Sequence, residues 1–337
     1  MRLKSYFVLF VVFGLLVALT VQAILRGRAP STESFKGEVS GGATALPSAE
    51  AQSAAPKPTK AAGKAGVRSQ SAAKEGTPTL ALVAPTHAFT GIEGLTLRLT
   101  HPLQLEVAET QGLAASARSL YVSSVDPRQR VAFLYEIRRD TYTVAQVRML
   151  KQGGQYHLGG LHLGAELLWA PLSGDEGDPR SVILGFDPLY LEVKRSFEVG
   201  ERIAAVAQGD DGHLFGVSAR GDRFLEWTPD GKELRRAPNP SGVPYGDMEV
   251  VRGSLICAGV DQAGGVLDVV DPASLTILAR HRADAISPGR QWVTRKGFAF
   301  DREAFYFLPD DGPNPMLMTY ALDNMTLEEC VPSLRPQ

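Results

Sequence analysis

A strand pattern that recurs five times constrains this chain more than any other feature. One apolar strand reads Ser119-Leu-Tyr-Val-Ser-Ser-Val125. It returns as Leu167-Leu-Trp-Ala-Pro-Leu-Ser173, His213-Leu-Phe-Gly-Val-Ser-Ala219, Ser254-Leu-Ile-Cys-Ala-Gly-Val260 and Ala304-Phe-Tyr-Phe-Leu-Pro-Asp310. A short strand of small residues precedes each copy: Gln111-Gly-Leu-Ala, Gly159-Gly-Leu-His, Ala204-Ala-Val-Ala, Asp247-Met-Glu-Val and Lys296-Gly-Phe-Ala. These first strands are spaced 43–49 residues apart, the spacing of four-stranded blades around an axis. Gly and Ala suit the crowded axis, strands apolar on both faces suit the space between blades, and alternating strands such as Tyr142–Leu150, Leu191–Val199 and Leu275–His281 suit a solvated rim. Asp211-Gly, Asp230-Gly and Asp311-Gly mark tight turns.

The reading is therefore all-β, a five-bladed β-propeller over residues 77–337. The last blade needs an outer strand, either the C-terminal Met325–Val331 or Leu95–Leu103 returning to close the ring and remove an exposed edge. A sixth blade built from Leu80–Thr100 and a pair of β-sandwiches are the alternatives.

The first quarter of the chain is unlike the rest. Arg2 and Lys4 precede an uncharged apolar stretch, Ser5–Leu25, just long enough for a membrane-crossing helix. Residues 1–25 are expected to be a signal peptide cut after Ala23 or a retained anchor; Arg26 and Arg28 favour the anchor. Residues 26–76, rich in Ala, Pro, Ser, Gly and Lys, bury too little to offset ordering entropy and are expected to form a disordered linker. Such a coil would span on the order of 35–40 Å. Either version exports the propeller to the periplasmic or cell-surface side of the cytoplasmic membrane, with the membrane as a partner through the N-terminal helix.

The formal net charge is −2, so a nucleic-acid partner, which would leave a basic stripe, is not expected. The two cysteines, Cys257 and Cys330, exclude a Cys-x-x-Cys site; they pair in an oxidising compartment or stand apart as thiols. There is no Gly-x-Ser-x-Gly elbow, no His-Glu-x-x-His and no phosphate-cradling glycine loop, and neither a cofactor nor a metal is expected.

Propellers bind ligands at one end of the axis, through residues flanking the innermost strands. That criterion selects Gln111, His157, Arg202, Tyr245, Asp247, Glu249 and Arg295 as ligand-binding residues, with Glu109 and Lys296 beside them. The expected function is a non-enzymatic propeller that binds a small polar ligand, a glycan or an envelope protein partner at the axial channel. The alternative is an extracytoplasmic hydrolase, lyase or cyclotransferase in which His157 works with Asp247 or Glu249 and Arg295 clamps an anion. Three further motifs read as surface features. Asp175, Glu176 and Asp178 form an acidic hairpin loop, Arg220-Gly-Asp222 sits at a turn, and Asn324-Met-Thr326 matches a glycosylation acceptor.

Thr110-Gln-Gly-Leu113, Tyr156-His-Leu-Gly-Gly-Leu161 followed by Leu-Trp-Ala-Pro, Ser196-Phe-Glu-Val199, Arg236-Ala-Pro-Asn-Pro-Ser-Gly-Val243, Tyr245-Gly-Asp-Met248 and Thr294-Arg-Lys-Gly297 resemble, in order over nearly all of residues 100–312, an uncharacterised bacterial family of secreted propeller-like proteins. Leu158 stands where that family is expected to have proline. The resemblance implies fold and export. Thr110-Gln-Gly-Leu113 and Asp247-Met-Glu249 also resemble first-strand motifs of the five-bladed glutaminyl cyclotransferases. That family is expected to carry Phe-Gly-Glu-Gly in its second blade, with the glutamate tied to catalysis. This chain has His157-Leu-Gly-Gly160 there, without a carboxylate.

Overall fold

The computed structural model describes Ile92, residues 94–105 and residues 107–322. The expected N-terminal helix and linker, Met325–Val331, Cys330 and Asn324-Met-Thr326 lie outside them. Among the described residues no helix is long and apolar enough to cross a membrane.

The strands form five antiparallel sheets, so the chain folds as an all-β, five-bladed propeller. β1 (Leu95–Pro102) comes first in sequence and is used last. Blade 1 contains β2 (Glu109–Ala115), β3 (Ser119–Asp126), β4 (Val131–Arg138) and β5 (Val144–Leu150). Blade 2 contains β6 (His157–Leu158), β7 (His162–Leu163), β8 (Leu168–Ser173), β9 (Ser181–Phe186) and β10 (Val193–Val199). Blade 3 contains β11 (Ile203–Gln208), β12 (Leu214–Ser218), β13 (Arg223–Trp227) and β14 (Glu233–Pro238). Blade 4 contains β15 (Tyr245–Val251), β16 (Ser254–Asp261), β17 (Gly264–Val270) and β18 (Ile277–Ala283). Blade 5 contains β19 (Gly297–Phe300), β20 (Phe305–Leu308) and β21 (Met316–Leu322), and β1 completes it.

β1 pairs antiparallel with β21 from Leu95↔Leu322 to Pro102↔Met316. The outer strand of the last blade is therefore the returning segment, and Thr100 belongs to that strand rather than to a sixth blade. The double-sandwich alternative fails for the same reason: each four-stranded sheet packs between two like it. The third strands β9 and β17 are buried throughout, while the fourth strands β10 and β14 are mostly exposed. That gradient is what the apolar and alternating patterns describe.

Two local features follow directly from residue type. Gly212, Gly231 and Gly312 of the three Asp-Gly turns have φ of 85°, 91° and 83°, a left-handed region that glycine adopts freely. Blade 2 has an interrupted inner strand. Its register runs His157↔Ser173 and Leu158↔Leu172, which brings Pro171 opposite Gly159. Proline has no N–H to continue the ladder. The Gly159 N–H still donates to the Pro171 carbonyl at 2.9 Å, but the Gly160 N–H turns to Ala204 O of blade 3 at 2.8 Å. The break thus becomes a link between blades.

Candidate binding pocket at one end of the axis

The axis is closed by close approach. A Cβ on Gly112 would lie 2.7 Å from Gly160 Cα, and one on Gly160 would lie 2.4 Å from Asp247 Oδ1. Asp247 is fully buried. Its Oδ2 accepts the N–H groups of Leu113 (2.8 Å, blade 1) and Phe298 (3.0 Å, blade 5), and its Oδ1 that of Met248 (3.0 Å). Burial pushes its pKa up, against the pull of these three donors. Asp247 is a clasp between three inner strands and does not line the cavity above it.

Glu249 lies further along the same strand, buried, with Oε1 3.1 Å from Nδ1 of the buried His162. Burial raises its pKa and the histidine lowers it. It too lines no pocket among those found in the described residues.

Above the clasp, where the inner strands begin, a cavity of about 380 Å³ opens. Gln111, His157, Arg202, Tyr245, Arg295 and Lys296 line it, with Trp292 and Val260. Five of the seven selected residues thus meet in one cavity, and Asp247 and Glu249 do not. Glu109 is not a lining residue, although its charge and, more strongly, that of Asp310 act on Lys296 from outside the cavity.

The electrostatics are one-sided. Arg202, Arg295 and Lys296 bring three cations, and no carboxylate lines the cavity. Lys296 Nζ donates to Gln111 Oε1 at 2.7 Å, and Arg295 to Gln291 Oε1 at 2.7 Å. Both partners are neutral amides. Gln111 is 3% exposed, and its Nε2 has no hydrogen-bond partner among the described residues. Burial pushes Lys296 down. Burial, reinforced by the charges of Lys296 and Arg202, pushes His157 down to about 4, so its imidazole is neutral at pH 7. Tyr245 is buried: its hydroxyl is bonded to Asp268 Oδ2 and to Ser241 Oγ (2.7 Å), and its ring stacks on Phe224 in the core.

Trp292 is the lining residue that strand patterns do not select. It lies in the connection between β18 and β19, residues 284–296, the longest link between blades among the described residues. A lone tryptophan in such a link, outside every repeat, is the signal that marks it.

The remaining motifs are occupied by structure. Asp175 binds Arg130 at 2.7 Å and the Tyr156 hydroxyl, which hold it below the usual carboxylate range, and Asp178 binds Arg180 at 2.9 Å. In Arg220-Gly-Asp222, Gly221 has φ 71° and Asp222 accepts from Ser218 Oγ at 2.6 Å within the turn. Asp211, His213 and Glu226 place ligand atoms within 4.8 Å of one another, but Arg235 engages Glu226 at 2.7 Å, so an ion-pair network already uses them.

A glutaminyl cyclase from Myxococcus xanthus superposes with a TM-score of 0.51 at 15% identity, over 68% of this chain and 97% of that one. A protein of unknown function from Bacteroides caccae gives 0.43 at 15% identity, over 59% and 70% of the two chains. Virginiamycin B lyase from Staphylococcus aureus gives 0.38 at 14%, over 64% and 66%. At these identities the likeness concerns the fold. No curated protein matches the sequence. Residues 98–306, more than half of the chain, match the model of the family of unknown function DUF6454, and the chain belongs to that family.

Proposed function

We propose that this propeller is a binding module whose axial pocket takes a small anionic molecule. One observation carries the reading: three cations line the cavity, no carboxylate does, and neither hydrogen-bonded lysine nor arginine has an acidic partner. Arg202 makes no side-chain hydrogen bond or ion pair among the described residues. Asp175 acts on Arg202, and Asp310 and Glu109 on Lys296, only at a distance, and a half-buried cation without a close partner is costly until something pairs with it.

The enzyme alternative needed a carboxylate beside His157, and Asp247 and Glu249 are both engaged elsewhere. The position that resemblance to the glutaminyl cyclotransferases would give to glutamate is Gly159. A Cβ there would lie 2.1 Å from Ala204 O. A side chain at that position has no room, which supports binding over that chemistry. The apolar stretch Ser5–Leu25 supports delivery of the module across a membrane and tethering by the linker; a reporter enzyme active only outside the cytoplasm, fused after Gly76, would be active if so and silent if not.

The test of the pocket is ligand-induced thermal stabilisation with mono- and dicarboxylates, phosphate and their neutral analogues. An anion present at 100 times its Kd stabilises by about 2.7 kcal/mol. Arg202→Ala is expected to weaken binding about tenfold, or about 1.4 kcal/mol. Equal responses to charged and neutral members of a pair would overturn the reading.

A further inference from the structure

The cavity is not uniformly polar. Taken around the ring, Arg202 enters from blade 3, and Arg295 and Lys296 from the approach to blade 5. Between them blade 4 contributes Pro244, Gly246 and Val260, with the buried Tyr245 behind, and Trp292 adds its indole from the link that follows. An apolar wall is therefore flanked on both sides by cations. Trp292 is well held there: its ring lies over Gly264, where an added Cβ would be 3.2 Å away. Its neighbours fix the backbone through Val293 N–H to Ala285 O at 3.2 Å and Thr294 Oγ1 to Gly259 O at 2.8 Å. Trp169 and Trp227, the other two tryptophans, are each 1% exposed in the core, whereas Trp292 is partly open to the cavity. Aromatic walls of this kind bind flat apolar groups by area and ring geometry, and cations at their edges fix an acid group.

Building on the anion-binding reading, we infer that the pocket selects an aromatic carboxylic acid, with the ring on the blade 4 wall beside Trp292 and the carboxylate on the flanking cations. The ring accounts for the wall, and the carboxylate for the unpaired charge. A purely polar anion would leave the partly exposed Trp292 and Val260 facing water.

The experiment is a titration of the full-length chain in detergent, followed by tryptophan fluorescence and by thermal shift. The probes are 3-phenylpropionate, its neutral amide, succinate and inorganic phosphate. Expected is binding of 3-phenylpropionate at least tenfold tighter than the other three. Trp292→Ala is expected to lose that margin while keeping the weak response to succinate, and Trp292→Phe to retain it; unchanged melting temperatures of the two free variants exclude misfolding. Succinate or phosphate binding as tightly as 3-phenylpropionate, or a margin unchanged in Trp292→Ala, overturns the aromatic assignment and leaves the anion reading standing. No response to any anion up to millimolar concentration, or an amide that binds like the acid, overturns both.

Discussion

At the scale of single residues, the axis is governed by what has no side chain and by one carboxylate. Gly160→Ala would drive a methyl group to 2.4 Å from Asp247 Oδ1, 2.7 Å from Ala205 Cβ and 2.8 Å from Gly246 O. None of these can yield without disturbing the clasp on Leu113 and Phe298. The expected loss is about 2–3 kcal/mol, read as a lower denaturant midpoint at unchanged slope. His157 makes a pH prediction. Its folded pKa, about 4, lies below its ordinary value, so between those two values the unfolded chain binds more protons than the folded one. Stability contributed by the neutral imidazole is present above about pH 6.5 and is lost as pH falls towards 4. After discounting for its partial exposure, the loss is roughly 2 kcal/mol. Urea denaturation across that window should be flatter for His157→Gln by this amount; parallel curves would show that His157 titrates normally.

At the scale of elements, closure depends on the first strand. β1 supplies the outer edge of blade 5 and buries Leu95 against the core shared by blades 4 and 5. A chain shortened to begin at Leu103 would leave β21 paired only with β20, with an open outer edge that templates association. We expect a fall in melting temperature of about 10 °C together with concentration-dependent oligomers on size exclusion. A monomer with unchanged stability would show that the closing strand is dispensable. The elements also show how far patterns reach. The five-fold recurrence, the small inner strands and the Asp-Gly turns are all legible in the sequence. The break in blade 2 is legible too, once Pro171 is counted across from Gly159, because a missing N–H is a property of the residue itself. Which of two distant segments closes the ring is not legible: Leu95–Leu103 and Met325–Val331 both read as edge strands.

At the scale of the whole molecule, the formal net charge of −2 conceals a local field. The pocket gathers three cations in a chain that is balanced overall. Arg202 and Lys296 are partly buried and are screened less than the exposed Arg295, so anion affinity should fall only a few-fold between low and physiological salt. It should fall in proportion to the charges removed in Arg202→Ala and Lys296→Gln. Affinity that collapses steeply with salt would instead mark diffuse surface attraction, measurable in the same thermal-shift series.

The sequence by itself determined the blade count, the strand roles and the end of the axis at which polar side chains collect, because these depend on period, residue size and the backbone freedom of Gly and Pro. It named Gln111, His157, Arg202, Tyr245 and Arg295 from their positions flanking inner strands, and the same rule named Asp247 and Glu249. Only the tertiary structure separated them. In a strand, a side chain's depth along the axis depends on the tilt and stagger of five sheets at once. That geometry turns Asp247 onto the N–H groups of two other blades, pairs Glu249 with His162 and brings Trp292 from a link into the wall.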